Sequence, residues 1–267
     1  MIVNRVWQGY FGTGIVATGN DFGLAGAPPT HPELLDWLAA DFRAQGWSLK
    51  RLHRRIVTSA AYRQSSTISS GEGSRANTLY HRQNPRRLTA EMLRDAMLAV
   101  SGKITEHPGG PPIWPELPAD IHNANPALLD DNKEKTKGWY PTPREKTDVR
   151  SLYLIQKRTV PVPMMATFDL PDNAVSCARR STSTVAPQAL TLLNSDFAAE
   201  TARAFAERVQ REAGDDPAKQ VQRVFALALQ REPDELEQAA CLRFREERTL
   251  AELCRAVLNV NEFVYFD

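Results

Sequence analysis

Along most of this chain apolar side chains recur at every third or fourth position, and the runs are started and stopped by residues that cap helices. Leu34, Leu35, Leu38 and Phe42 share one face, as do Leu49, Leu52, Ile56, Val57 and Ala60, and again Met92, Leu93, Met97 and Val100. A half-buried strand buries alternate residues and cannot satisfy that spacing. The chain is therefore predicted to be mainly α: a helical domain with long proline-rich loops and at most a minor strand element.

The punctuation places the elements. Gly12 and Gly14 end a first helix that carries Ile2, Val3, Val6, Trp7, Tyr10 and Phe11, and a glycine- and proline-rich loop follows from Asn20 to Pro29. Thr30-His31-Pro32-Glu33 has the spacing of a capping box, Gly46 stops the helix it would open, and Ser48 and Thr89 are N-caps of the next two. Pro187 is expected to open one long helix with Leu190, Leu193, Phe197, Ala204, Phe205 and Val209 inward, closed at Gly214. Asp216-Pro217 starts another, Pro233 a third, and Leu250 to Phe266 reads as a last, strongly apolar one. Between the helical parts, HPGGPPIWPELP and the lysine-rich DDNKEKTKGWYPTPREKTD have long-loop composition, and Ser151 to Ile155 (SLYLI) is the best strand candidate. The expected organisation is one domain over residues 1–267, with a helical half 1–104, a loop-rich centre 105–185 and a helical half 186–267.

Composition narrows the function classes. With 42% hydrophobic and 24% charged residues the chain is not of disordered or fibrous type. A formal net charge of +1 gives no global attraction to nucleic acid or to a membrane surface, and no apolar run is long enough to span a bilayer. The first residues already lie inside an apolar-periodic segment without a charged leader, so the expectation is an N-terminally truncated portion of a longer polypeptide.

Specific chemistry is sparse. Cys177, Cys241 and Cys254 form no C-x-x-C or C-x-x-C-H spacing and are expected to be buried or idle thiols, although Cys241 and Cys254 could meet on neighbouring helices. His31, His53, His81, His107 and His122 fall in separate segments without a ligand pattern, and neither G-x-S-x-G nor a phosphate-binding G-x-x-x-x-G-K-[ST] occurs. No metal site and no cofactor are expected in this chain. The face of Lys50, Arg51, Arg54 and Arg55 reads as solvated. Trp7, Trp37 and Trp47 stand beside apolar positions and are expected in the core, whereas Trp114 and Trp139, on proline-rich loops, are the candidates for an exposed stacking surface.

The most concentrated chemistry is FDLPDNAVSCARRSTSTVAPQALTLLN, residues 168–194. Arg179 and Arg180 present planar forks suited to carboxylate, sulfate or phosphate, and Thr184 and the hydroxyls before it precede a helix start whose free amides favour an anion. Asp169 and Asp172 could act as acid and base on an anionic glycan. Equally, they could neutralise the arginines in a polar latch that closes the loop onto the helix.

NDFGLAGAPPTHPELLDWLAADF, GWSLKRLHRRIVTSAAYRQSS, LTAEMLRDAMLAVSG, SLYLIQKRTVPVPMMATFDLPD, CARRSTSTVAPQALTLLN and LNVNEFVYFD, in that order, resemble the uncharacterised C-terminal domain of large planctomycete exported proteins. The resemblance implies further domains upstream in the same polypeptide, often including a c-type haem domain, and a secreted, periplasmic or cell-envelope setting with polymer degradation nearby. It brings no established activity. Cys177, Arg179 and Arg180 match the family's C-x-R-R stretch, while Gln8-Gly9-Tyr10 stands where relatives tend to carry histidine after W-Q, and QREPDELEQ is shorter than its usual form.

Overall fold

The computed structural model describes residues 1–67, 77–106, 109–130 and 138–266, so His107 and residues 131–137 of the lysine-rich stretch lie outside the described residues. The chain is mainly α, with strand character confined among the described residues to Arg86–Arg87, Tyr265–Phe266 and isolated bridges. It forms two compact units: Met1–Arg86 with Ser176–Arg179 and Tyr265–Asp267, and Arg87–Val175 with Arg180–Val264. Among the described residues no helix is long and apolar enough to cross a membrane.

In the first unit three helices, α1 (Ile2–Phe11), α2 (Pro32–Ala44) and α3 (Leu49–Val57), pack on one another. Their inward positions supply Val3, Trp7, Phe11, Leu38, Phe42, Leu52 and Ile56, with Ile15 from the following loop. The loop is fixed by Asn4, a wholly buried side chain whose amide donates to Val16 O at 3.0 Å while its oxygen accepts from Val16 N at 2.9 Å. Gly14 lies against it: a Cβ there would fall 2.5 Å from Asn4 Nδ2, so this position admits only glycine without a shift. Ser48 caps α3 as expected, accepting from Arg51 N.

Two expectations fail in this unit. The capping box at Thr30 does not form, because Thr30 N and Oγ1 both donate to Ile15 O and the helix begins one residue on, at Pro32 after His31. Trp37 and Trp47 are not core but 51% and 63% exposed. The buried face of α2 runs through Leu38 and Phe42, which leaves Trp37 beneath the Arg55 guanidinium at 5.2 Å and Trp47, in a left-handed turn at φ 61°, edge-on to Phe42.

The second unit comprises α4 (Ala90–Ser101), α5 (Ala119–Ala124), α6 (Pro163–Thr167), α7 (Ala186–Asn194), α8 (Asp196–Ala213), α9 (Pro217–Ala228), α10 (Glu235–Glu247), α11 (Leu250–Val257) and α12 (Asn261–Val264). Helix α8 is central, packing against α4, α7, α9 and α11 and burying Phe205 and Val209 completely. Thr89, Asp216 and Asp234 cap α4, α9 and α10 with side-chain oxygens, and Gly102 closes α4 in the left-handed region at φ 74°.

The long helix expected after Pro187 is two helices. Ser195 adopts an extended conformation and its Oγ accepts from Ala198 N, so α7 ends and α8 is capped anew; Leu190 is 54% exposed and Leu192 takes the buried position. The apolar stretch from Leu250 likewise divides into α11, α12 and a two-residue strand. Met92 faces solvent, 54% exposed, on the side of α4 opposite Met97.

SLYLI is not a strand. Ser151–Tyr153 is a 3-10 turn and only Leu154 makes a bridge, to Ile113. The backbone is committed elsewhere: Asp95 Oδ1 accepts from Ser151 N at 2.6 Å, and buried Arg94 donates to Val149 O and Thr147 O at 2.8 Å each. Trp139 is not an exposed platform either, since it is 5% exposed in a core with Leu117, Leu128 and Val160, its Nε1 donating to Pro115 O, and Trp114 packs edge-on to it at 5.1 Å.

Candidate functional site

Helix α6 buries Met164 and Met165 and ends at Phe168, which is 2% exposed, so the polar segment leaves from an anchored point. Asp169 then turns back at φ 61°, a left-handed conformation that aspartate tolerates better than most residues. The turn aims its carboxylate at two donors from elsewhere in the chain. Arg87 Nη2 donates to Asp169 Oδ2 at 2.7 Å, and Ser183 donates to the same carboxylate through its amide at 2.8 Å and its hydroxyl at 2.8 Å.

Arg87, whose side chain is 3% exposed, also donates to Ser183 O at 2.5 Å and Phe168 O at 3.3 Å, with its guanidinium over the Phe168 ring. Gln188 completes the closure, its Nε2 donating to Thr167 O and Ser183 Oγ at 3.1 Å each. Burial pushes the Asp169 carboxyl up, but the Ser183 amide and hydroxyl and the Arg87 guanidinium outweigh it and hold the carboxyl below the usual aspartate range. Such a group stays ionised and accepts hydrogen bonds; it holds no proton to give near neutral pH.

The other expected site residues are distributed differently. Arg180 pairs with Glu91 in the first turn of α4 at 2.7 Å, and that partner draws the Glu91 carboxyl down against the upward push of its burial. Asp172 is exposed and accepts from Ala174 N at 2.8 Å, a local turn. Arg179 is exposed, makes no ion pair among the described residues, and its carbonyl accepts from Cys177 Sγ at 3.2 Å. Thr184 is exposed. The structure thus unites Asp169 with Ser183, Arg87 and Gln188, and it separates Arg180 onto Glu91. Arg87 and Glu91 had no signal in the sequence beyond standing beside the Thr89 cap.

All three cysteines are free: Cys177 exposed, Cys241 half-buried, Cys254 buried with its thiol pushed up to about 12 by desolvation. Among the described residues no group of three or more histidine, cysteine, aspartate or glutamate side chains is placed to hold a metal ion.

Over residues 1–245 the chain matches the family described as PSD1, a protein of unknown function (DUF1553), and it belongs to that family. No curated protein and no solved structure matches it.

Proposed function

We propose that this member of the DUF1553 family is a non-catalytic helical module whose partners are other domains of the same polypeptide, with segment 168–194 acting as an internal latch. The observation that supports it is the state of Asp169. A general acid or base has to reach a substrate proton, yet both Asp169 oxygens are taken by Ser183 and one also by Arg87. Asp172, the second carboxylate that a glycan-handling site would use, sits on an exposed turn with its oxygen on Ala174 N.

A docking role is supported by apolar side chains left outside the first unit's core. Ile2, Phe22 and Trp47, each 40% exposed or more, line a groove of about 470 Å³ along α2, and apolar surface gathered in one place favours a contact with another protein surface. The exported setting and haem-bearing neighbours that the resemblance implies belong to this proposal.

The test is turnover. Purified wild type and Asp169→Asn are incubated with polyuronate and sulfated oligosaccharides and new reducing ends are counted. The latch predicts no release from either protein and a lower melting temperature for Asp169→Asn. Release by wild type that a still-folded Asp169→Asn loses would overturn it.

A further inference from the structure

Helices α8 and α11 pack on each other, and Ala199, Ala202 and Ala251 are among the residues that line a groove of about 140 Å³. Arg203 of α8 and both Arg255 and Glu252 of α11 line the same groove. Neither arginine makes an ion pair among the described residues, and two carboxylates one turn away are held by other groups. Glu200, one turn before Arg203, is held by Arg144 and Lys103. Glu252, one turn before Arg255, accepts from the Thr249 amide and hydroxyl at 2.9 Å each and from Arg248. Glu207, one turn after Arg203, makes no ion pair with it among the described residues. By contrast Arg208 of α8, Arg223 of α9 and Arg231 after α9 each hold a glutamate.

We infer that Arg203 and Arg255 form a binding site for one small oxyanion, a phosphate, sulfate or carboxylate group. Two guanidiniums from facing helices supply planar donor forks that match an oxyanion, and the alanine lining lets the anion lie close to the helix surfaces. At about 30 Å³ for each water in the liquid, the groove has the room of roughly four or five waters, which suits one such group. The site is independent of the Asp169 latch and of the proposed docking role.

Calorimetric titration of inorganic phosphate, sulfate and acetate into wild type, Arg203→Ala, Arg255→Ala and the control Arg211→Ala tests it. Arg211 is exposed near the end of α8 and does not line the groove. The expected result is saturable binding of at least one anion, weakened about tenfold or more in each groove variant, unchanged in Arg211→Ala, with melting temperatures within error of wild type. Binding of phosphate or sulfate but not acetate assigns the tetrahedral anion, and the reverse assigns the carboxylate. No saturable binding of any of the three, or binding that survives either groove substitution, overturns the site.

Discussion

Arg87 Nη2 donates to Asp169 Oδ2 at 2.7 Å across 82 positions of sequence, and the arginine side chain is 3% exposed. A pair this enclosed is unequal in its two halves: removing the carboxylate strands a buried cation, whereas removing the cation leaves Asp169 with the Ser183 donors. Asp169→Ala should therefore lower unfolding free energy by about 3 kcal/mol and Arg87→Ala by somewhat less, with strong non-additivity in the double variant. Urea unfolding of the three variants checks this. Additive losses would mean that the two residues act independently.

The Arg180–Glu91 pair should behave otherwise. Its side chains are 45% and 22% exposed, and ion pairs open to solvent contribute less than about 1 kcal/mol. Arg180→Ala is expected to cost no more than that, and Arg179→Ala, where no ion pair is lost, should be neutral. A loss for Arg180→Ala as large as that for Asp169→Ala would move the centre of the latch to the C-x-R-R stretch.

Local features were legible in the sequence and long-range ones were not. Ser48, Thr89, Gly102 and Asp216 mark helix ends because a cap is an arrangement within a few residues, readable wherever the right side chain meets the right spacing. The break at Ser195 was hidden, since apolar spacing continues through it and only the backbone turns. Trp7 is in the core as its spacing implies, but Trp139, expected to be exposed, is enclosed by Leu117, Leu128 and Val160, and Trp47, expected in the core, projects from a turn. Their burial depends on which distant elements arrive. For the candidate site, Asp169 was identifiable as chemistry, but its partner was expected among neighbouring arginines and comes instead from the two-residue strand that precedes α4. A guanidinium 82 positions away leaves no mark on local pattern.

Acid should destabilise the fold through carboxylates whose folded values lie below their unfolded ones. Arg231 and the Asp234 amide hold Glu237 down to about 2, and Glu91 and Asp169 are lowered as described. Each contributes stability above its unfolded value, about 4 for these side chains, and loses it as pH falls through the folded value. The urea midpoint is expected to hold between about pH 7 and 5 and to fall steadily toward pH 2, less steeply in Glu237→Gln. A midpoint that rises on acidification would contradict the assignment.

Thiol chemistry should follow exposure. Cys177 is exposed and should react with a disulfide reagent within the first phase at pH 8. Cys241 is half-buried with its thiol raised by burial and by Glu237, and should react more slowly. Cys254, pushed up to about 12, should react only on unfolding. Counting modified thiols in native and urea-treated protein, with Cys177→Ser as the assignment, gives the order; a fast native reaction at Cys254 would contradict the packing of α11.

The claim that Asp169 serves as a latch is tested most directly by the titration of its own carboxyl. With carbon-13 in the aspartate side chains and Asp169→Asn to assign the resonance, the carboxyl shift is followed from pH 7 downward. The account predicts a midpoint below the ordinary aspartate value of about 3.9 that moves upward in Arg87→Ala, because the ionised form loses a charge-assisted donor. A midpoint near 6, the value of a carboxyl poised to exchange protons with a substrate, or one indifferent to Arg87, would contradict it.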